Sequence, residues 1–154
     1  MAVWFLRGVG RRVVNVSLPH TINGYVRLPK YLHLRASGEF RRVYAYGKRY
    51  DGSLMTAFIR PNDLQHHRFG ITASRKAIGN AVERNRSKRL LREAIRHSGA
   101  TVEQIDSKYD WVLNAKRALL KVSSMAALEE LQRIISRVQI DVRVDRVRSS
   151  SVSQ

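Results

Sequence analysis

RFGITASRKAIGNAVERNRSKRLLREAIRHSG, residues 68–99, decides the fold of this chain. Its opening reads as a strand: Phe69, Ile71 and Ala73 alternate with Gly70, Thr72 and Ser74, which gives one apolar face. The rest reads as a helix. Asn80 is a favourable N-cap and Glu83, three residues on, completes a capping-box pattern, while Gly99 stands where a C-cap glycine belongs. At roughly 100° per residue, Leu90, Leu91, Ala94 and Ile95 fall on one side of that helix. Asn85, Lys88, Arg89, Arg92 and Arg96 fall on the other, flanked by Arg84 and Arg86.

A basic stripe of this kind is either a solvated face or a surface for a polyanion. Solvated faces mix signs, because acid–base pairs four apart stabilise them. Here Lys88/Arg92 and Arg92/Arg96 are like-charge pairs four apart, each costing about 0.2–0.5 kcal/mol. A polyanion turns that repulsion into attraction, so the spacing favours a nucleic-acid face.

Composition points the same way. The chain has 154 residues and a formal charge of +17, a size for one domain and a charge that implies a polyanionic partner. It has no cysteine, which excludes disulfides and thiolate metal sites. A membrane surface is the competing polyanion, but no apolar run is long enough to span a bilayer. Val3 to Leu6 is too short for a secretory signal and is interrupted by Arg7. A cytoplasmic protein that binds RNA or DNA is the expectation.

Residues 1–26 carry Arg7, Arg11 and Arg12, no acid, and Gly8, Gly10, Pro19 and Gly24 without a sustained period. They read as a flexible basic extension, or as an Arg-rich organelle-targeting segment. Ser37 begins a short helix with Phe40, Val43 and Tyr44 at helical spacing and Gly47 as its stop. Phe40 and Tyr44 suit core packing; with Arg41, Arg42, Lys48 and Arg49 beside them they also suit stacking on single-stranded RNA. Residues 54–60 form a strand ended by Pro61-Asn62-Asp63, in which Phe58 suits either role. His66-His67 lacks a third ligand nearby and belongs to a loop or a strand start rather than a metal site. Residues 111–115 form a third strand. Ser124 caps a last helix with Met125, Leu128, Leu131, Ile134, Ile135 and Val138 on its core stripe. Residues 141–148 alternate Val with charge, as an edge strand or a fluctuating tail, and 149–154 form a polar end. The domains are then 1–27, 28–140 and 141–154.

The decamer 84–93, R-N-R-x-K-R-x-x-R-E, resembles the RNR signature of the bacterial ribonuclease P protein family. The preceding G-I-T-A-S-R-K and G-N-A-V are similar to that family's strand and helix start, and E-F-R-R-V-Y-A-Y-G-K-R at 39–49 looks like its first helix. The resemblance covers residues 28–138; both termini depart from it.

The residues give an α+β two-layer sandwich in the order α-β-β-α-β-α around a small central sheet. Physics favours a right-handed strand–helix–strand crossover; the resemblance implies a left-handed one. It also implies the protein subunit of ribonuclease P, which removes 5′ leaders from precursor tRNA while the RNA subunit performs hydrolysis with Mg²⁺. Arg84, Asn85, Arg86, Lys88, Arg89, Arg92 and Arg96 would then hold the ribonuclease P RNA. Phe40, Tyr44 and Phe58, with Arg41, Lys48, Arg75 and Lys76, would line a groove for the leader. Arg75 and Lys76 also precede a helix whose first amides favour an anion near Asn80. The chain itself shows no catalytic or metal-binding constellation; its acids are sparse and scattered, Glu83, Glu93, Glu129 and Glu130 on helices and Asp141 and Asp145 four apart near the end. A general RNA-binding or ribosomal protein, and a DNA-bending or chromatin protein, use the same kind of basic helix.

Overall fold

The computed structural model describes residues 21–22, 25–26 and 29–151. Two short strands, β1 (Thr21–Ile22) and β2 (Tyr25–Val26), pair with each other. A 3-10 turn at Lys30–Leu32 leads into α1 (Ser37–Tyr46), then β3 (Lys48–Asp51), β4 (Met55–Pro61) and β5 (Arg68–Thr72). The crossover follows as α2 (Arg75–Ile78) and α3 (Ala81–Glu103), then β6 (Tyr109–Ala115), a second 3-10 turn (Arg117–Lys121) and α4 (Ser124–Ser151). The main sheet runs β3-β4-β6-β5, antiparallel except for β5 beside β6. Parallel neighbours need a long crossover, and the stretch 75–103 supplies it.

β6 is central and covered on both faces. Trp111, Leu113 and Ala115 enter the main core with Met55, Ala57 and Ile59 of β4, Leu91, Ala94, Ile95 and Val102 of α3, and Leu131, Ile134, Ile135 and Val138 of α4. Val112 points the other way, into a smaller cluster with Leu34, Val43, Phe40 and Phe58 beneath α1. Burial on both faces is why 111–113 is a continuous apolar run rather than an alternating one. α1 can lie this close to β5 because residue 70 is glycine: a Cβ there would stand 2.5 Å from the Phe40 ring.

The α+β class and the central strand–helix–strand unit are those the sequence predicts. The sheet gains a strand, β3, and α1 on its second face. The KRYD of β3 shows no alternation to read, because only Tyr50 turns inward. α3 does not stop at Gly99. It continues to Glu103, with Gln104 as its C-cap, because Val102 and Ile105 bury themselves in the core. That burial outweighs the roughly 1 kcal/mol that an internal glycine costs. α4 is capped one residue earlier than expected, by Ser123, whose Oγ accepts from Ala126 N at 3.3 Å. Met125 stands out in solvent and Leu128 is only half-buried, so the core stripe starts with Ala127.

Residues 141–148 are neither strand nor tail but a continuation of α4. Val142 packs on the core, Asp141 takes hydrogen bonds from Tyr50 and Lys48, and Arg146 pairs with Asp106 at 3.0 Å. Residues 1–20, 23–24, 27–28 and 152–154 lie outside the described residues, and so does most of the basic N-terminal extension.

Among the described residues, the core holds one imidazole. His67 is 1% exposed, and its Nδ1 accepts from Tyr109 N at 3.1 Å and from Trp111 Nε1 at 3.2 Å. Burial, with Lys108 nearby, pushes its pKa down to about 4. The neutral form is thus favoured by folding. Stability should be intact above about pH 6.5, where the unfolded chain is also neutral, and fall as pH drops toward 4, by up to about 3 kcal/mol. Chemical unfolding at pH 8, 6 and 4.5 measures this; equal midpoints would show that His67 reaches water on protonation.

Candidate nucleic-acid interface

α3 begins as its sequence dictates. Asn80 Oδ1 accepts from Glu83 N at 2.9 Å, and the Glu83 carboxylate accepts from Asn80 N at 3.1 Å. That carboxylate also lies against Gly79, which takes φ 125°. The anion expected near Asn80 therefore meets a helix end already occupied by the chain's own carboxylate. Arg75 and Lys76 are exposed on α2, just past the end of β5.

Along α3, Leu91, Ala94 and Ile95 are buried and Leu90 packs half-buried against them. Asn85, Arg86, Arg89 and Arg92 are exposed on the far side, with Lys88 and Arg96 half-exposed at its margins. Arg84 is partly buried, and its Nε has no hydrogen-bond partner. Among the described residues, none of these cations joins an ion pair. The stripe read from the sequence is present as one uncompensated positive face.

The second surface lies on the other side of the sheet, beside α1. Tyr44 and Phe58 meet edge to face with centroids 4.9 Å apart. The Tyr44 hydroxyl donates to Asn114 Oδ1 at 2.7 Å and sits 3.2 Å from Thr72 Oγ1, which itself donates to Asn114 at 2.5 Å. Tyr44 is thus pinned at its tip while the residue stays 39% exposed. Phe40 is on the same helix face but leans inward over Gly70 and Leu34, as a packing residue more than a wall. Arg41 is exposed on α1.

Lys48 does not belong to this surface. Strand alternation turns it with Tyr50 toward α4, where it pairs with Asp141 at 2.7 Å. Arg49 takes its place: it is paired across the ladder with Phe58, and its guanidinium lies 5.9 Å from that ring. Thr72, Asn114, Thr56, Asp51 and Lys116 complete the surface, none of them singled out by sequence. Without β3 the two faces of 48–51 could not be told apart. Among the described residues no group of three His, Asp or Glu side chains is placed to hold a metal ion, and no helix is long and apolar enough to cross a membrane.

A mixed four-stranded sheet, with a cationic crossover helix on one face and a short aromatic helix on the other, defines the class: a small α+β protein with one strongly basic helical surface. The chain belongs to the ribonuclease P family, whose model matches residues 28–139. It is 34% identical over 105 residues to the ribonuclease P protein component of Fusobacterium nucleatum, covering 68% of this chain and 91% of that one. The corresponding protein of Methylococcus capsulatus is 38% identical over 105 residues, covering 68% and 79%. Among solved structures, the RNase P protein from Thermotoga maritima is 28% identical with a TM-score of 0.59, covering 68% of this chain and 96% of that one. The Staphylococcus aureus RNase P protein, at 22% identity and a TM-score of 0.58 over 70% and 94%, shares the fold. The holoenzyme of this family is the tRNA 5′-processing ribonuclease, and a protein component implies a partner RNA.

The two sides of α3 should separate cleanly in stability. Leu91→Ala should cost about 2–5 kcal/mol as a fully buried leucine, whereas Arg89→Ala should leave the melting temperature nearly unchanged. Loss of fold in the arginine variant would mean the faces are assigned wrongly.

Proposed function

We propose that this chain is the RNA-binding subunit of a ribonuclease P ribonucleoprotein, that the outer face of α3 docks on the catalytic RNA, and that the Tyr44–Phe58 surface receives the 5′ leader of precursor tRNA. The observation that carries the reading is the row Arg84, Arg86, Lys88, Arg89, Arg92 and Arg96 on one helix without an ion-pair partner among the described residues. Guanidinium groups grip phosphate through paired N–H donors, while the Asn85 amide suits a base edge or a 2′-hydroxyl.

Several of the described acids hold the fold. Glu83 caps α3, Asp110 binds Arg68 and Asn62, and Glu130 accepts from the amides of Ser53, Leu54 and Met55. Cleavage is therefore assigned to the RNA subunit. The Mg²⁺ it holds supplies charge stabilisation for phosphodiester hydrolysis, and the protein binds and orients. The cytoplasm is the expected place of action.

In the leader groove a base can stack on the exposed part of Tyr44 or beside Phe58, with Arg49 over the latter ring. Arg41 stands on the flanking helix, with Arg75 and Lys76 beyond Thr72. Such a surface holds a single strand through ring faces and phosphate, with little demand on sequence.

The deciding assay is whether the chain lowers the Mg²⁺ that a bacterial ribonuclease P RNA needs to cut precursor tRNA. No change, with RNA binding intact, would leave a general RNA-binding protein. If about six phosphates are neutralised, log K should fall with log[salt] at a slope near −5; a slope shallower than about −2 removes the phosphate-face reading of α3. Arg89→Ala should weaken assembly with the catalytic RNA. Tyr44→Ala should weaken binding of leader-bearing precursor roughly 5- to 150-fold, with mature tRNA little affected. An unchanged precursor-to-mature ratio together with a loosened fold would return Tyr44 to the core.

A further inference from the structure

At the hairpin end of the groove, a carboxylate of the protein itself is gripped by the groove's cations. Asp51 closes β3 on the face that carries Arg49 and Phe58. Its Oδ2 lies 2.8 Å from Arg49 Nε, and its Oδ1 accepts from Arg49 Nη2 at 3.1 Å, Thr56 Oγ1 at 2.7 Å and Lys116 Nζ at 3.4 Å. Lys116 is steered there by the turn, donating to Gly52 O at 2.6 Å. The turn in turn hangs on Glu130, which takes its amides.

A guanidinium fork, an ammonium and a hydroxyl thus converge on one anion that is half exposed to solvent. The same donors, in the same arrangement, recognise a phosphodiester. They also hold the Asp51 carboxyl down at about 2, so it is ionised at any working pH. A fixed acid at this place would repel each phosphate arriving within a Debye length, about 8 Å at physiological salt. Its side chain is exposed, however, and can rotate away from the three donors.

We propose that Arg49, Lys116 and Thr56 form a phosphate subsite for single-stranded RNA, which Asp51 fills in the free protein and yields when the strand extends to the hairpin end of the groove. This rests on the groove reading above. Exchange of carboxylate for phosphate conserves the donors' hydrogen bonds, so the subsite adds little net affinity, and the nucleotide there is held weakly and released easily.

Asp51→Asn tests it in the reconstituted complex, because asparagine keeps the shape and the acceptor for Thr56 but not the charge. Affinity for leader-bearing precursor should rise roughly two- to fivefold, the worth of one exposed charge contact. The salt slope should steepen by about 0.7, the increment for one more phosphate of a single strand. Mature tRNA should bind as before, and Lys116→Ala or Arg49→Ala in the Asp51→Asn background should reverse the gain. An equal gain for mature tRNA would show a bulk charge effect and overturn the proposal, as would an unchanged precursor affinity and slope. Circular dichroism checks the fold, and Asp51→Ser substitutes if asparagine disturbs the turn. A wild-type precursor-to-mature ratio near one would remove the groove reading itself. A ratio well above one that Asp51→Asn does not move removes only the subsite.

Discussion

Asp110 is a carboxylate buried in the sheet, and the arrangement of the groove follows from how it is neutralised. Arg68 meets it with two parallel hydrogen bonds of 2.8 and 2.7 Å, and Asn62 adds a third at 2.8 Å. A buried charge left alone is strongly destabilising, so this pairing is obligatory. The same guanidinium reaches across to Glu39 of α1 at 2.5 Å. Glu39 accepts in addition from the amides of Arg35 and Ala36, which hold its carboxyl below the usual range. One arginine therefore ties β5 to β6 and both to the start of α1. With that end fixed, Tyr44 arrives two turns later over Thr72 and Asn114, against Phe58.

The sheet separates the two proposed surfaces. α3 packs on the Trp111 face and turns its cations outward, whereas α1 lies on the Val112 face and leaves the far part of it open. Neither surface needs the other for its charge or shape. A rigid sheet holds them at fixed distance, which suits the role in binding two RNAs proposed above.

Much of this was legible in the chain. The α3 stripe was, because helical periodicity repeats within a single turn and depends on neighbours three and four apart. The capping box at Asn80 and Glu83 was local in the same sense, and so was the stop of α1 at Gly47. The roles of Lys48 and Arg49 were not. Adjacent residues of a strand face opposite ways, and which of the two meets Phe58 is settled only by pairing with β4.

The sequence by itself determined the class of the fold, the basic face of α3 and the membership of residues 28–139 in their family, because each is written in local periodicity and in a long contiguous motif. Tertiary structure alone decided the ends of α3 and α4, the strand β3, and the partners of Tyr44, Asp51 and Lys116. Helix α3 outruns Gly99 because Val102 and Ile105 find a core built by residues far along the chain. Asp51 and Lys116, 65 positions apart, meet only because the β3–β4 hairpin turn and the C-terminal end of β6 lie at the same end of the sheet. No local signal carries a contact of that separation; it exists once the sheet has closed.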